Sequence, residues 1–186
     1  MTQKIAVIVG SVRKDSINKK LADALVKLGQ GAFDADYITI DTLPMYDQDL
    51  EADRPQAVLD FVEQVKKYDN ILIVTPEYNR SIPPLLKNAL DWASRPAVGG
   101  NAWKDKTIAI AGASPGAIGA ALAQQHLRQV LGILGATVMG GELYFTMKPD
   151  LIDADGNVAN EDTKKFLQGF IGNFAALSGK TAAKAA

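Results

Sequence analysis

Ser11, Arg13, Ser16 and Asn18 fall within the nine residues 10–18, Gly-Ser-Val-Arg-Lys-Asp-Ser-Ile-Asn. Two hydroxyls, a guanidinium fork and an amide this close together form a donor set for an anion. The apolar run at 5–9 precedes them and reads as a buried strand. Leu21, Ala22, Leu25 and Leu28 follow at helical spacing. The loop therefore joins the end of a strand to the start of a helix. Unpaired N–H groups and the positive end of the helix dipole suit phosphate there. The loop is suited to a phosphate rather than to a nucleoside triphosphate.

Two more segments carry unusual residues. Residues 75–83 read Thr-Pro-Glu-Tyr-Asn-Arg-Ser-Ile-Pro. Their prolines stiffen the backbone, so its N–H groups can be held toward a planar heterocycle. Tyr78 is placed to cover a ring face or form a pocket wall. Ser81 reads as a helix N-cap, with Pro83 in the first turn. The competing reading is a stiff turn that merely starts a helix. Residues 112–119 contain Gly-x-Ser-x-Gly, the pattern of a nucleophile elbow. That elbow needs the N–H after its serine, and Pro115 has none. The triad also needs a histidine late in the chain. The single histidine, His126, lies in the helix directly after the loop. Gly112, Gly116 and Gly119 do not have dinucleotide-fingerprint spacing. They read better as positions where backbone closely approaches a flat ligand.

Alternating elements must position these loops. Strands are expected at 5–9, 36–40, 70–74 and 107–111, with a fifth starting at 136–139. Helices are expected over 18–28, around 58–68, at 83–93 and over 117–134. A last one carries Phe166, Phe170 and Phe174. Such alternation implies parallel strands, right-handed crossovers and helices on both faces. The loops after all strands then emerge at one edge, where open α/β sheets bind ligands. Five short strands give an α/β, flavodoxin-like three-layer sandwich with a five-stranded parallel sheet in the order 2-1-3-4-5.

The 186 residues suggest one domain, spanning 1–178, followed by a small polar tail at 179–186 that frays. Twenty Lys and Arg against 21 Asp and Glu leave a net charge of −1, with no basic excess for nucleic acid. No apolar run approaches a membrane span, and no signal peptide is apparent. A cytoplasmic location is the default expectation. With no cysteine, disulfides, zinc–thiolate sites and cysteine nucleophiles are excluded. The run Asp153-Ala154-Asp155-Gly156-Asn157 faintly suggests a calcium loop. Val158 and Lys164 stand where such a loop needs glycine and glutamate, so a tight turn is expected instead.

The patterns Gly-Ser-x-Arg-x-x-Ser-x-Asn, Pro-Glu-Tyr-Asn and Ser-Ile-Pro-x-x-Leu-Lys-Asn-x-Leu-Asp-Trp resemble the NAD(P)H-dependent FMN reductases. That group includes bacterial quinone, chromate and azo-dye reductases. The resemblance extends to 43–50, Leu-Pro-Met-Tyr-Asp-Gln-Asp-Leu, and to 125–129. It implies FMN as cofactor and NAD(P)H as co-substrate. Ser11, Arg13, Ser16 and Asn18 would hold the FMN phosphate. Pro76, Glu77, Tyr78 and Asn79 would border the isoalloxazine, and Ser114 and Gly116 would approach its pyrimidine end. Relatives often carry glycine or another residue at the position of Arg80. Its side chain would meet the dinucleotide's phosphates or a neighbouring subunit.

The resemblance further implies hydride transfer from NAD(P)H to flavin N5. Electrons would then pass to quinones, chromate, azo dyes or free flavin by a ping-pong mechanism, with no protein nucleophile and no metal. A flavodoxin-type electron carrier without its own NAD(P)H reaction is the alternative. A receiver-type signalling domain is disfavoured, because Thr75-Pro76 stands where such domains place an aspartate. His126 reads as a surface or contact residue, Arg128 as an ion-pair partner at an interface and Glu77 as a loop-anchoring carboxylate. Trp92 and Trp103 read as packing residues. Leu122, Leu127, Val130, Leu131 and Leu134 spread beyond one helix stripe, which suggests a homodimer or homotetramer.

Overall fold

The computed structural model describes residues 3–185, with side chains as far as 179. Its strands are β1 (Gln3–Val9), β2 (Phe33–Tyr37), β3 (Asn70–Val74), β4 (Thr107–Ser114), β5 (Thr137–Val138) and β6 (Leu143–Thr146). Its helices are α1 (Ile17–Leu28), α2 (Gln56–Lys66), α3 (Pro84–Trp92), α4 (Ala121–Ile133) and α5 (Glu161–Ala185). The sheet order is β2-β1-β3-β4-β5, with β6 also on β4, and every pairing is parallel. This is the flavodoxin-like arrangement.

Both faces of the sheet are covered, which explains the unbroken apolar runs of β3 and β4. Side chains alternate between two cores. Ala6 and Ile8 of β1 pack with Val58, Phe61, Leu86, Leu90, Leu127 and Leu131 from α2, α3 and α4. Ile5 and Val7 pack with Leu21 and Leu25 of α1 and with Phe170 and Phe174 of α5. Phe166, four residues earlier, is 52% exposed. Trp92 and Trp103 are fully buried, as their packing role requires.

Several boundaries differ from those expected. The second strand spans Phe33–Tyr37, not 36–40. Phe33 starts it because its ring fills the space beneath the turn at Gly29, where a Cβ would lie 2.2 Å from the ring. Ile38 and Ile40 follow the strand and remain buried. The fourth helix starts at Ala121, not 117, because Gly119 and Ala120 both have left-handed φ, 53° and 63°. A side chain at Gly119 would meet the Phe145 N at 2.5 Å, so this close crossing needs glycine.

The expected fifth strand is split. Its register against β4 shifts by two residues between Thr107↔Thr137 and Ala111↔Leu143. Gly140 and Gly141 lie at the break, Gly141 with φ 86°. Arg128 closes the gap by donating to Met139 O at 2.8 Å and Gly141 O at 2.9 Å. Both carbonyls lie in the break between β5 and β6, a bracing role that the sequence reading of Arg128 did not include. The Asp153 carboxylate accepts from the Asp155 and Asn157 N–H groups and from the Asn157 amide, forming the tight turn. Those hydrogen bonds, that of the Asn157 side chain foremost, hold its pKa below the ordinary carboxylate range. Helix α5 runs on to Ala185 through the stretch read as a frayed tail; Ala186 lies outside the described residues.

Two distant sequence blocks meet in space. Asn88 Oδ1 accepts the Tyr46 N–H at 2.7 Å, and its Nδ2 donates to Pro44 O at 2.9 Å. Trp92 Nε1 donates to the same carbonyl at 2.8 Å. The Tyr46 ring meets Trp92 edge-on at 5.0 Å. Helix α3 thus fixes the 43–50 loop. Asn88→Ala leaves the Tyr46 N–H and weakens the hold on Pro44, so it is expected to cost about 2 kcal/mol. Thermal melting should show a drop of roughly 4–8 °C. Asn88→Asp keeps the acceptor and should lose less.

Candidate active site

Parallel pairing brings the ends of β1, β3 and β4 to one edge, and the three loops converge there. They enclose a cleft of about 120 Å³. Ser11, Arg13, Ser16 and Asn18 line it from the first loop, Pro76, Glu77 and Tyr78 from the second, and Ser114 and Pro115 from the third. Asn79 and Gly116 sit within these loops but outside the cleft lining.

The first loop ends in a capped helix. Ser16 is buried and its hydroxyl accepts the Lys19 N–H at 3.2 Å. Ser16, Ile17 and Asn18 line the cleft and no acidic residue stands in the first turn, so the α1 N-terminus faces the cleft without a neutralising charge of its own. Asn18 is 2% exposed. Its Nδ2 donates to Ala113 O at 3.0 Å and its Oδ1 accepts the Ala113 N–H at 2.8 Å. The amide thus ties the first loop to the third, leaving one Nδ2 hydrogen and the backbone N–H for a ligand. Arg13 is exposed, and among the described residues none accepts from its guanidinium. Hydroxyls, a free guanidinium and a helix N-terminus match a phosphate monoester. The donor set fits the phosphate of FMN.

The second loop is a two-residue hairpin. Tyr78 and Ser81 exchange both backbone hydrogen bonds at 3.0 Å. Asn79 and Arg80 at its tip have φ 50° and 65°, the type I′ pattern. Ser81 is consumed in this hairpin, so it is not the helix cap. Its Oγ lies 3.0 Å from His126 Nδ1, and α3 begins after Pro83. Tyr78 is 46% exposed at the cleft mouth.

Glu77 determines where this hairpin sits. Its side chain is 9% exposed and pairs with Arg80 at 3.2 Å. Its Oε2 accepts the Leu122 and Ala123 N–H groups at 2.9 and 3.1 Å. Helix α4 has no side-chain cap of its own, so Glu77 caps it from 45 residues away. The sequence reads Glu77 as an anchor but has no signal for this partner. In the third loop, Ser114 Oγ accepts the Gly116 N–H at 3.0 Å, and Thr146 Oγ1 donates to Gly116 O at 3.3 Å.

The sequence reading missed two features. Gln124 is fully buried beneath the third loop, donating to Leu143 O at 2.8 Å. A Cβ on Gly112 would lie 3.0 Å from its Nε2. A second cavity, about 270 Å³, opens across the first loop toward Tyr37–Asp41. Placing a strand over 36–40 concealed it. Among the described residues, no three His, Cys, Asp or Glu side chains gather to hold a metal, and no helix is long and apolar enough to cross a membrane.

A doubly wound parallel sheet with a donor-rich first loop at a helix N-terminus and two backbone-rich loops beside it is the architecture of a mononucleotide-binding α/β protein. The profile of the NADPH-dependent FMN reductases matches residues 3–150. The chain is 50% identical over 177 residues to a 2-hydroxy-1,4-benzoquinone reductase of Burkholderia sp., covering 95% of this chain and 96% of that protein. A quinone reductase of Pseudomonas putida is 42% identical over 173 residues, covering 92% of each. The structure superposes on FerB, a flavoenzyme NAD(P)H:(acceptor) oxidoreductase from Paracoccus denitrificans, with a TM-score of 0.91. That pair shares 45% identity over 97% of this chain and 99% of the other. The chain belongs to the NADPH-dependent FMN reductase family. It is an NAD(P)H-dependent flavin oxidoreductase with FMN as cofactor, which decides against the carrier and receiver readings.

Glu77→Ala is expected to uncap α4 and cost about 1–2 kcal/mol. Amide exchange at Leu122 and Ala123 should accelerate in step with the loss. Glu77→Gln retains an acceptor and should recover about half. Unchanged exchange at both amides in the alanine variant would count against the cap.

Proposed function

We propose that this chain reduces quinones with electrons taken from NAD(P)H, in a ping-pong sequence at a single open face. The convergence of the three loops on one cleft carries this reading. Bound FMN would supply the redox chemistry at its N5. Ser11, Arg13, Ser16 and the α1 N-terminus would hold its phosphate. The rigid hairpin at Tyr78 and Asn79 would present backbone N–H groups to the ring edge, and Ser114 and Gly116 would flank the other end. Tyr78, half exposed, would bound the space where NAD(P)H and acceptor follow each other. Hydride transfer needs no protein nucleophile, so these residues bind, orient and exclude water. The names of the Burkholderia and Pseudomonas relatives support a quinone as acceptor.

The test is anaerobic. FMN-loaded protein, freed of excess flavin, should bleach on adding NADH or NADPH and recover its colour with a benzoquinone. Retained flavin that neither nucleotide bleaches would overturn the reading. Arg13→Ala removes one charge-assisted contact and should weaken FMN binding about 10- to 100-fold. Equilibrium dialysis would measure that loss.

We also infer self-association through α4. Leu127 and Leu131 belong to the chain's own core, but Leu122 is 39% and Ile133 86% exposed. Ile133 borders an 810 Å³ groove shared with Ile82 and Pro84. Sedimentation should give a dimer or tetramer, and Ile133→Glu should shift it toward monomer. A monomeric wild-type protein at micromolar concentration would rule this out.

A further inference from the structure

We propose that the cavity between the first loop and the end of β2 receives the adenosine half of the nicotinamide dinucleotide. We further propose that it selects the 2′-hydroxyl form. This rests on the reductase reading and locates the end of NAD(P)H that does not react.

Position comes first. The cavity of about 270 Å³ is more than twice the size of the three-loop cleft and shares Ser11 and Arg13 with it. It opens at the carboxyl edge of the sheet, where doubly wound folds bind ligands. Strand β2 is separated from β3 only by β1. Two strand spacings amount to roughly 10 Å. A dinucleotide with its nicotinamide at the second loop can therefore reach β2 through its pyrophosphate.

The lining is suited to a flat base on a ribose. Ile38 and Ile40 are 3% and 1% exposed and give the cavity buried apolar lining. Val12 is 63% exposed and Tyr37 38%, an unusual pair of bare apolar surfaces beside a loop. Lys19 stands 4.5 Å from the Tyr37 ring centroid, and the Tyr37 hydroxyl donates to Asp23 at 2.5 Å. These contacts hold the ring in place, so stacking a base costs little added order.

The polar lining is small and specific. Thr39 and Asp41 are exposed, and among the described residues neither side chain has a hydrogen-bond partner. A carboxylate beyond the second strand is the group that accepts a ribose 2′-hydroxyl in doubly wound dinucleotide sites. The same carboxylate repels a 2′-phosphate. Two cations line the cavity: Lys19 is bound by both Asp23 oxygens at 2.5 and 2.7 Å, and Arg13 is taken by the FMN phosphate in the reading proposed above, so neither charge is left for a 2′-phosphate. The cavity therefore favours NADH over NADPH.

The test uses FMN-loaded protein, so that the phosphate loop is filled, and two probes without nicotinamide: ADP-ribose and 2′-phospho-ADP-ribose. In calorimetric titration, ADP-ribose should bind more tightly, and it should compete with NADH. Asp41→Ala and Val12→Asp should each weaken ADP-ribose about tenfold. The KM for NADH should rise by a similar factor, with the loss on KM rather than kcat. Asp41→Arg should reverse the preference between the two probes. No heat with ADP-ribose, or binding that ignores all three variants, overturns the subsite while flavin bleaching still stands. Failure of both nucleotides to bleach the flavin would instead overturn the reductase reading beneath it.

Discussion

Two hydrogen bonds between the Asn18 amide and the Ala113 backbone fix the geometry on which the site depends. They connect the first turn of α1 to the end of β4, across a separation of 95 residues. Both ends are buried, so an unmade bond would leave polar groups without water. The phosphate loop and the third loop are thereby held at one spacing. A ligand spanning both meets a preformed cleft and does not have to order it.

The second loop is held by a different device. Glu77 places a carboxylate at the start of α4, where free N–H groups and the helix dipole favour negative charge. The left-handed residues Gly119 and Ala120 end the third loop abruptly and leave that N-terminus without a local cap. One buried side chain therefore satisfies the helix and aims the hairpin. Arg80 completes the arrangement by pairing with the other Glu77 oxygen. A non-glycine residue at φ 65° carries a conformational cost, which is offset here by that ion pair and the closed hairpin.

The sheet's broken edge follows from the same need for close approach. The third loop crosses β6 so tightly at Gly119 that a methyl group would not fit. Splitting the edge strand at Gly140-Gly141 lets β6 follow β4 to its end, while Arg128 satisfies the carbonyls freed by the break. Asn88 and Trp92 do comparable work on the other side, tying the 43–50 loop to α3.

The sequence by itself determined the class of fold, the strand order and the three loops. Each rests on local information: apolar period, helix start signals and glycine or proline at loop positions. The Gly10–Asn18 loop is legible because one short run carries all its donors. What only the tertiary structure decided depends on partners far apart in the chain. Asn18 reads only as a phosphate ligand until Ala113 is seen against it and the same amide proves to tie two loops together, and Ser81 reads as a cap until Tyr78 and His126 claim it. Arg128 reads as an ion-pair partner at an interface, and only the fold shows it bracing a strand break through two carbonyls. The end of β2 shifts by three residues because the Phe33 ring packs under Gly29, a contact no periodicity reports. That shift frees Thr39 to Asp41 from the strand, Ile38 still donating to Val7 O, and opens the cavity beside the first loop. Side-chain amides and carboxylates can satisfy many donors, so their types suggest chemistry, but packing selects which donor they meet.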